Sequence, residues 1–138
     1  MKKIIILLFF CFFNLFSVKG AAQTIAFKTS AVSFCEKNIK TNNWGKWTEF
    51  VKAEIVITID AKKDLIVVNS QETQAFRINA YYDKYATETQ DIVMFDCTDN
   101  NGSKCKILVI TRKDENNRKQ FYINYNEVRF VYNIVETI

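Results

Sequence analysis

Asp91 to Lys113 reads DIVMFDCTDNNGSKCKILVITRK, and it describes a β-hairpin. Ile92–Phe95 on one side and Ile107–Ile110 on the other are apolar, β-favouring runs. Between them, Thr98 to Ser103 supplies residues that tolerate positive φ or bond to their own backbone. Folding the stretch so that Cys97 faces Cys105 sets Phe95 against Ile107, Val93 against Val109 and Asp91 against Thr111. On the opposite face Asp96 meets Lys106, Met94 meets Leu108 and Ile92 meets Ile110. Every pair is compatible, and a one-residue slip would turn one strand's apolar side chains to the wrong face. The register is therefore written into the side chains.

Opposed cysteines on a hairpin lie within reach of a disulfide, since paired Cα atoms are roughly 5.5 Å apart. Closing so short a loop would contribute about 2–3 kcal/mol in the chain-entropy account. The sequence thus leads to an expected disulfide between Cys97 and Cys105. Pairing of Cys35 with either remains open on the residues alone.

Working outward, the same pattern repeats. Thr24–Phe34 alternates, with Ile25, Phe27, Thr29 and Ala31 on one face. Glu36–Gly45 is polar and reads as a loop. Trp47–Ile59 alternates as one long half-buried strand, bulged or bent near Glu49. Turns at 60–64 and 70–73 bracket a strand over Leu65–Asn69. Phe76, Ile78, Ala80 and Tyr82 alternate next, and 83–90 is a loop. A charged turn at 114–119 precedes a strand over Gln120–Tyr125, a tight Asn126-Glu127 turn and a last strand over Val128–Val135. No stretch after residue 22 has helical periodicity. The expected fold is all-β: an antiparallel meander of about seven to eight strands, a small barrel or a sandwich.

The first 22 residues are of another kind. Lys2 and Lys3 precede an apolar run, Ile4–Phe16, and a small-residue segment with Gly20, Ala21 and Ala22. That is the arrangement of a signal peptide, and the run is short of the ~20 residues that a membrane-spanning helix needs. The reading is a signal peptide at 1–22 and one all-β domain at 23–138. It implies export to the periplasm or beyond, with no transmembrane anchor after cleavage. Loss of Lys2, Lys3 and Lys19 takes Lys+Arg from 19 to 16 against 15 Asp+Glu, a balance of +1. No global charge argues for nucleic acid or an anionic membrane. Cys11 leaves too, so Cys35, Cys97 and Cys105 remain, in a compartment that permits disulfides.

The chain has no histidine. That removes Ser-His-Asp and Cys-His catalysis and His-ligated metals. No CxxC, P-loop or GxGxxG occurs, and no cofactor or metal is expected. The acids Asp60, Asp64, Asp83, Asp99 and Asp114 fall at turns, where solvation or turn chemistry explains them better than a catalytic carboxylate pair. Asp96, Asp99 and Asn101 lack the glycine and the distal glutamate of a calcium loop. The basic run Lys106, Arg112, Lys113, Arg118 and Lys119 is diluted by Asp96, Asp114 and Glu115 and reads as a solvated edge. The aromatics remain: Trp44, Trp47, Tyr81, Tyr82, Tyr122, Tyr125 and Tyr132 are the candidate ligand-binding residues, with core packing as the competing account.

Gly45-Lys46-Trp47 resembles the short GxW signature near the first strand of lipocalins and other calycins. That resemblance implies an up-and-down barrel carrying a small apolar ligand. More broadly, the Ile/Asn/Lys-rich composition, the NNWGKW segment and the Asp99-Gly102-Cys105 spacing are similar to small exported β-proteins of Bacteroidota, a likeness that carries no activity. The function expected from the sequence is a non-enzymatic exported domain that binds a partner or serves structurally at the cell envelope. The alternative is a carrier of a small apolar ligand. A protein or such a ligand is the expected partner.

Overall fold

The structure, a computed structural model, describes residues 24–138. The signal-peptide reading of residues 1–22 falls outside them. Among the described residues, eleven strands form one antiparallel sheet. They are β1 (Thr24–Asn38), β2 (Asn43–Trp44), β3 (Val51–Lys52), β4 (Val56–Asp60), β5 (Leu65–Asn69) and β6 (Thr73–Tyr81). There follow β7 (Tyr85–Ala86), β8 (Gln90–Asp99), β9 (Lys104–Arg112), β10 (Arg118–Asn124) and β11 (Val128–Thr137), with a 3-10 turn at Lys113–Glu115. Neighbours in sequence are neighbours in space, and β11 returns to pair with β1. Eight strands thus close into a meander barrel, with β2, β3 and β7 as short additions. Closure decides between the two all-β architectures: this is a barrel.

The hairpin of β8 and β9 has the register its side chains specify, from Asp91↔Thr111 to Cys97↔Cys105. Its turn is a three-residue loop with a glycine bulge. The Gly102 amide donates to Asp99 O, the Asp99 amide donates to Ser103 O, and Gly102 has φ of 87°. The Asp99 carboxylate accepts from the Asn101 and Ser103 amides. Asp99 is therefore a turn residue for a physical reason, as its place in the sequence suggested.

The expected disulfide is not formed. Cys97 and Cys105 face each other, buried, as free thiols. Asp99 and Ser103 share a ladder hydrogen bond. The two-residue alternation of an antiparallel ladder then puts Cys97 and Cys105 on a hydrogen-bonded pair, where side chains stand farther apart than on the intervening pairs. Both instead pack in the core as small apolar groups.

The barrel interior is solid. Ile57, Ile66, Val68, Phe76, Ile107 and Phe121 are each no more than 1% exposed, and they join one cluster with Phe27, Ile78, Phe95, Ile123, Tyr132 and Ile134. Each of the eight barrel strands contributes to it from its inward face, which is why the period-2 reading located most of them.

Two expectations are corrected by β1. It does not end at Phe34 but runs 15 residues to Asn38, so Glu36–Asn38 is strand and not loop. Those polar residues are extended because β11 pairs with Glu36 on one side and β2 pairs with Lys37 on the other. The segment 43–60 is likewise not one strand. It is a broken arm running back along β1, held at β2, β3 and β4. Between these points the Gly45, Thr48 and Ala53 amides donate to Glu36, Phe34 and Ser30 carbonyls. A register shift in β1 at Lys28–Ala31 accompanies the break, and Thr29 Oγ1 bridges it by accepting from the Ile55 amide and donating to Ala53 O.

Cys35, Ser33 and Val131 are buried but stand outside the interior cluster. They alternate with the inward-facing Val32, Phe34, Phe130 and Tyr132 and so point outward. Ser33 Oγ donates to Thr48 O at 2.6 Å, which places the arm over this outer face.

Candidate functional site: a basic groove beside the barrel mouth

The turns at 39–42, 70–72, 100–103 and 125–127 gather at one end of the barrel. Two depressions open there. The first, of about 630 Å3, is the mouth itself, floored by Ile123, Phe130 and Tyr132 and rimmed by Gln74, Asn101 and Glu127. The second, of about 580 Å3, lies on the outer wall next to it. Its notable lining residues are Lys37, Trp44, Lys104, Asn124, Asn126 and Arg129, together with the Asp96–Lys106 pair.

Each element delivers its residue for a local reason. The outward alternation of β10 and β11 places Asn124 directly opposite Arg129. On the other side of β11, Arg129 is opposite Cys35. The continuation of β1 pairs Lys37 with Trp44. The Trp44 ring then lies close to two cations, with the Arg129 guanidinium carbon 3.9 Å from its centroid and Lys37 Nζ at 5.8 Å. Burial pushes the Cys35 thiol up, and the Arg129 charge partly offsets that.

Four cations and one carboxylate line the groove. Asp96 is already neutralised: Lys106 Nζ donates to it at 3.0 Å and Tyr82 OH at 2.7 Å. Those two hydrogen bonds, Tyr82 first, hold its carboxyl below the usual range. Among the described residues, no acid pairs with Lys37, Lys104 or Arg129. Among the described residues, two polar side-chain atoms are buried with no hydrogen-bond partner, and both belong to residues of this groove: Asn124 Oδ1 and Arg129 Nε.

Tyr125 stands between the two depressions and lines both. Its hydroxyl donates to Asp99 Oδ2 at 2.7 Å. Burial and the Asp99 carboxylate push the Tyr125 phenol well up. Burial would raise Asp99, but Tyr125 and the turn amides outweigh it and hold the carboxyl low.

The seven candidate aromatics do not form one site. Trp44 and Tyr125 meet at the groove, and Tyr132 is a core residue beneath the mouth. Trp47 packs edge-on against Tyr122 on the outer wall, ring centroids 6.3 Å apart. Tyr122 belongs to a polar network there, accepting from Arg112 and donating to Gln120, whose amide reaches Asn133. Tyr82 caps the Asp96–Lys106 pair. Tyr81 donates to Asp64 in the far turn and meets Phe95 edge-on.

The basic run is not a solvated edge, because closure leaves β9 and β10 paired on both sides. Lys113 pairs with Asp91 and Arg118 with Glu115, and Arg112 reaches Gln120. Lys37, Asn124 and Arg129 were not singled out in the sequence. Alternation shows that Asn124 and Arg129 share a face, but only the β1–β11 closure brings Lys37 and Trp44 to them.

Comparison with family models, curated proteins and solved structures found no match. The class the fold defines is a small closed antiparallel β-barrel.

Proposed function

We propose that this chain is an exported, non-enzymatic binding module that takes its ligand on the outer wall beside the barrel mouth, and not in the lumen. The observation that carries the reading is the contrast between a filled interior and a groove whose cations lack partners. A carrier of small apolar ligands needs an enclosed apolar cavity; here that volume is occupied by Phe76, Phe121, Ile57, Ile66 and Ile107. The acids support binding over catalysis, since Asp60 and Asp99 bond turn amides and Asp64 accepts Tyr81. Among the described residues no three His, Cys, Asp or Glu gather as a metal-ligand set, and no helix is long and apolar enough to cross a membrane.

The test is titration of the purified protein with N-phenyl-1-naphthylamine, an uncharged apolar fluorophore. No saturable enhancement is expected. One-to-one saturable binding would return the carrier reading. Export is checked by fractionating cells that express the full chain and sequencing the product's N-terminus, which should begin after Gly20 or Ala22.

A further inference from the structure

The outer groove has the chemistry to select a ligand class, and this step rests on the binding-module reading. We propose that it binds acidic sugars: small hydroxylated ligands bearing a carboxylate or a phosphate.

Arg129 is held over Trp44 with its guanidinium carbon 3.9 Å from the ring centroid. The guanidinium carbon sits over the ring, and the N–H donors lie around the rim of the group. A planar guanidinium held that way suits two-point recognition of a carboxylate or a phosphate. Its Nε is buried and unpartnered. A buried donor without an acceptor is costly, so native structures rarely leave one unless something else fills the role. Lys37 and Lys104 line the same groove with no acid among the described residues paired to them. The field in the groove therefore favours an anion.

Asn124 Oδ1 narrows the class further. It is also buried and unpartnered, and it sits on the residue directly opposite Arg129. An oxyanion satisfies Arg129 but offers nothing to a carbonyl oxygen. The ligand that satisfies both atoms carries an oxyanion and, next to it, a hydroxyl donor. Asn126 on the groove's rim adds another amide. A volume of about 580 Å3 admits a mono- or disaccharide. The wall is not a free aromatic platform, because Arg129 already lies over the Trp44 ring. Recognition is thus by charge and hydrogen bonds, and a neutral sugar lacks the main contact.

The chain has two tryptophans, so the folded protein shows two indole N–H resonances, assigned with W47F. The protein is titrated at constant ionic strength with galacturonate, glucose 6-phosphate, inorganic phosphate and glucose. The expected result is a saturable shift of the Trp44 indole with galacturonate or glucose 6-phosphate; which of them binds more tightly identifies a carboxylate or a phosphate as the anionic group. Inorganic phosphate should bind about tenfold more weakly, and glucose should leave Trp44 unmoved. Arg129→Gln should weaken binding by about tenfold or more. Lys104→Gln, on an exposed residue where folding is not at stake, should weaken it by about threefold. Silence toward both acidic sugars at ~10 mM overturns the proposal, as does equal affinity for inorganic phosphate or an unchanged affinity in both variants. Those results leave the binding-module reading standing, whereas saturable uptake of the apolar fluorophore sinks that reading itself.

Discussion

Arg129 on the last strand lies over the ring of Trp44, 3.9 Å from its centroid, and the pair locks the broken outer arm onto the closed barrel. The two residues are far apart in sequence, and each is anchored by a different neighbour of β1. Arg129 is directly opposite the buried Cys35 on β1, and both Arg129 and Trp44 line the groove.

That relationship predicts a local opening. Trp44→Ala should cost about 1–2 kcal/mol of stability, the range of a partly desolvated cation–π contact plus lost packing. It should also speed alkylation of Cys35 relative to Cys97 and Cys105. Chemical denaturation and timed labelling read by mass spectrometry check both, and a Cys35 rate unchanged in the variant would separate it from the arm.

The interior thiols should be inert. Burial, then the neighbouring Cys105 and Asp96, push the Cys97 thiol up to about 12, and burial does the same to Cys105. At pH 8 only on the order of one such thiol in ten thousand is the reactive thiolate. Iodoacetamide should leave Cys97 and Cys105 unmodified in the folded protein and modify both in guanidinium. Recovery of a peptide joining Cys97 to Cys105 without reduction would contradict the free pair.

Acid should weaken the hairpin turn. The Asp99 carboxyl is held below its ordinary value, so its contribution is complete above the unfolded value of about 4 and is lost as pH falls through the lower folded value. Asp99→Asn should flatten the stability curve between about pH 5 and pH 2 and cost about 1–2 kcal/mol at neutral pH. Urea midpoints measured across that range give the comparison, and a parallel pair of curves would be the adverse result.

Two glycines should respond differently to alanine. Gly102 has φ of 87° with open space around the position of a Cβ, so Gly102→Ala should cost about 1 kcal/mol in backbone strain alone. At Gly45 a Cβ would come within 3.0 Å of the Glu36 carbonyl oxygen. Gly45→Ala should therefore loosen the arm and shift the Trp44 indole resonance, an effect that Gly102→Ala lacks.

Inside and outside aromatics should differ in weight. Phe121 is fully buried against Tyr132, and Phe121→Ala should cost about 3–5 kcal/mol. Trp47 is 43% exposed, and Trp47→Ala should cost about 1 kcal/mol. Comparable losses from calorimetry would mean that the outer arm is part of the core.

Alternation and turn chemistry, which are local, account for what could be read from the residues in advance. The β8–β9 register follows from opposed pairs such as Asp96 with Lys106 and Phe95 with Ile107, and the turn follows from Asp99, Asn101 and Gly102. The strands over 65–69, 120–125 and 128–135 were visible for the same reason. Glu36–Asn38 was not, because its extended form comes from partners on both sides and its side chains are polar. The Cys97–Cys105 register was legible, but whether that pair lies on a hydrogen-bonded rung depends on where the ladder begins at Asp99 and Ser103.

By itself, then, the sequence determined an antiparallel all-β meander, its strand faces, and the exclusion of histidine chemistry. Only the tertiary structure decided that the meander closes, that the lumen is filled, and that Lys37, Trp44, Asn124 and Arg129 share one groove. The physical reason is range. Side-chain period and turn propensity act over a few neighbouring residues, whereas the pairing of β1 with β11 depends on curvature summed over the whole sheet.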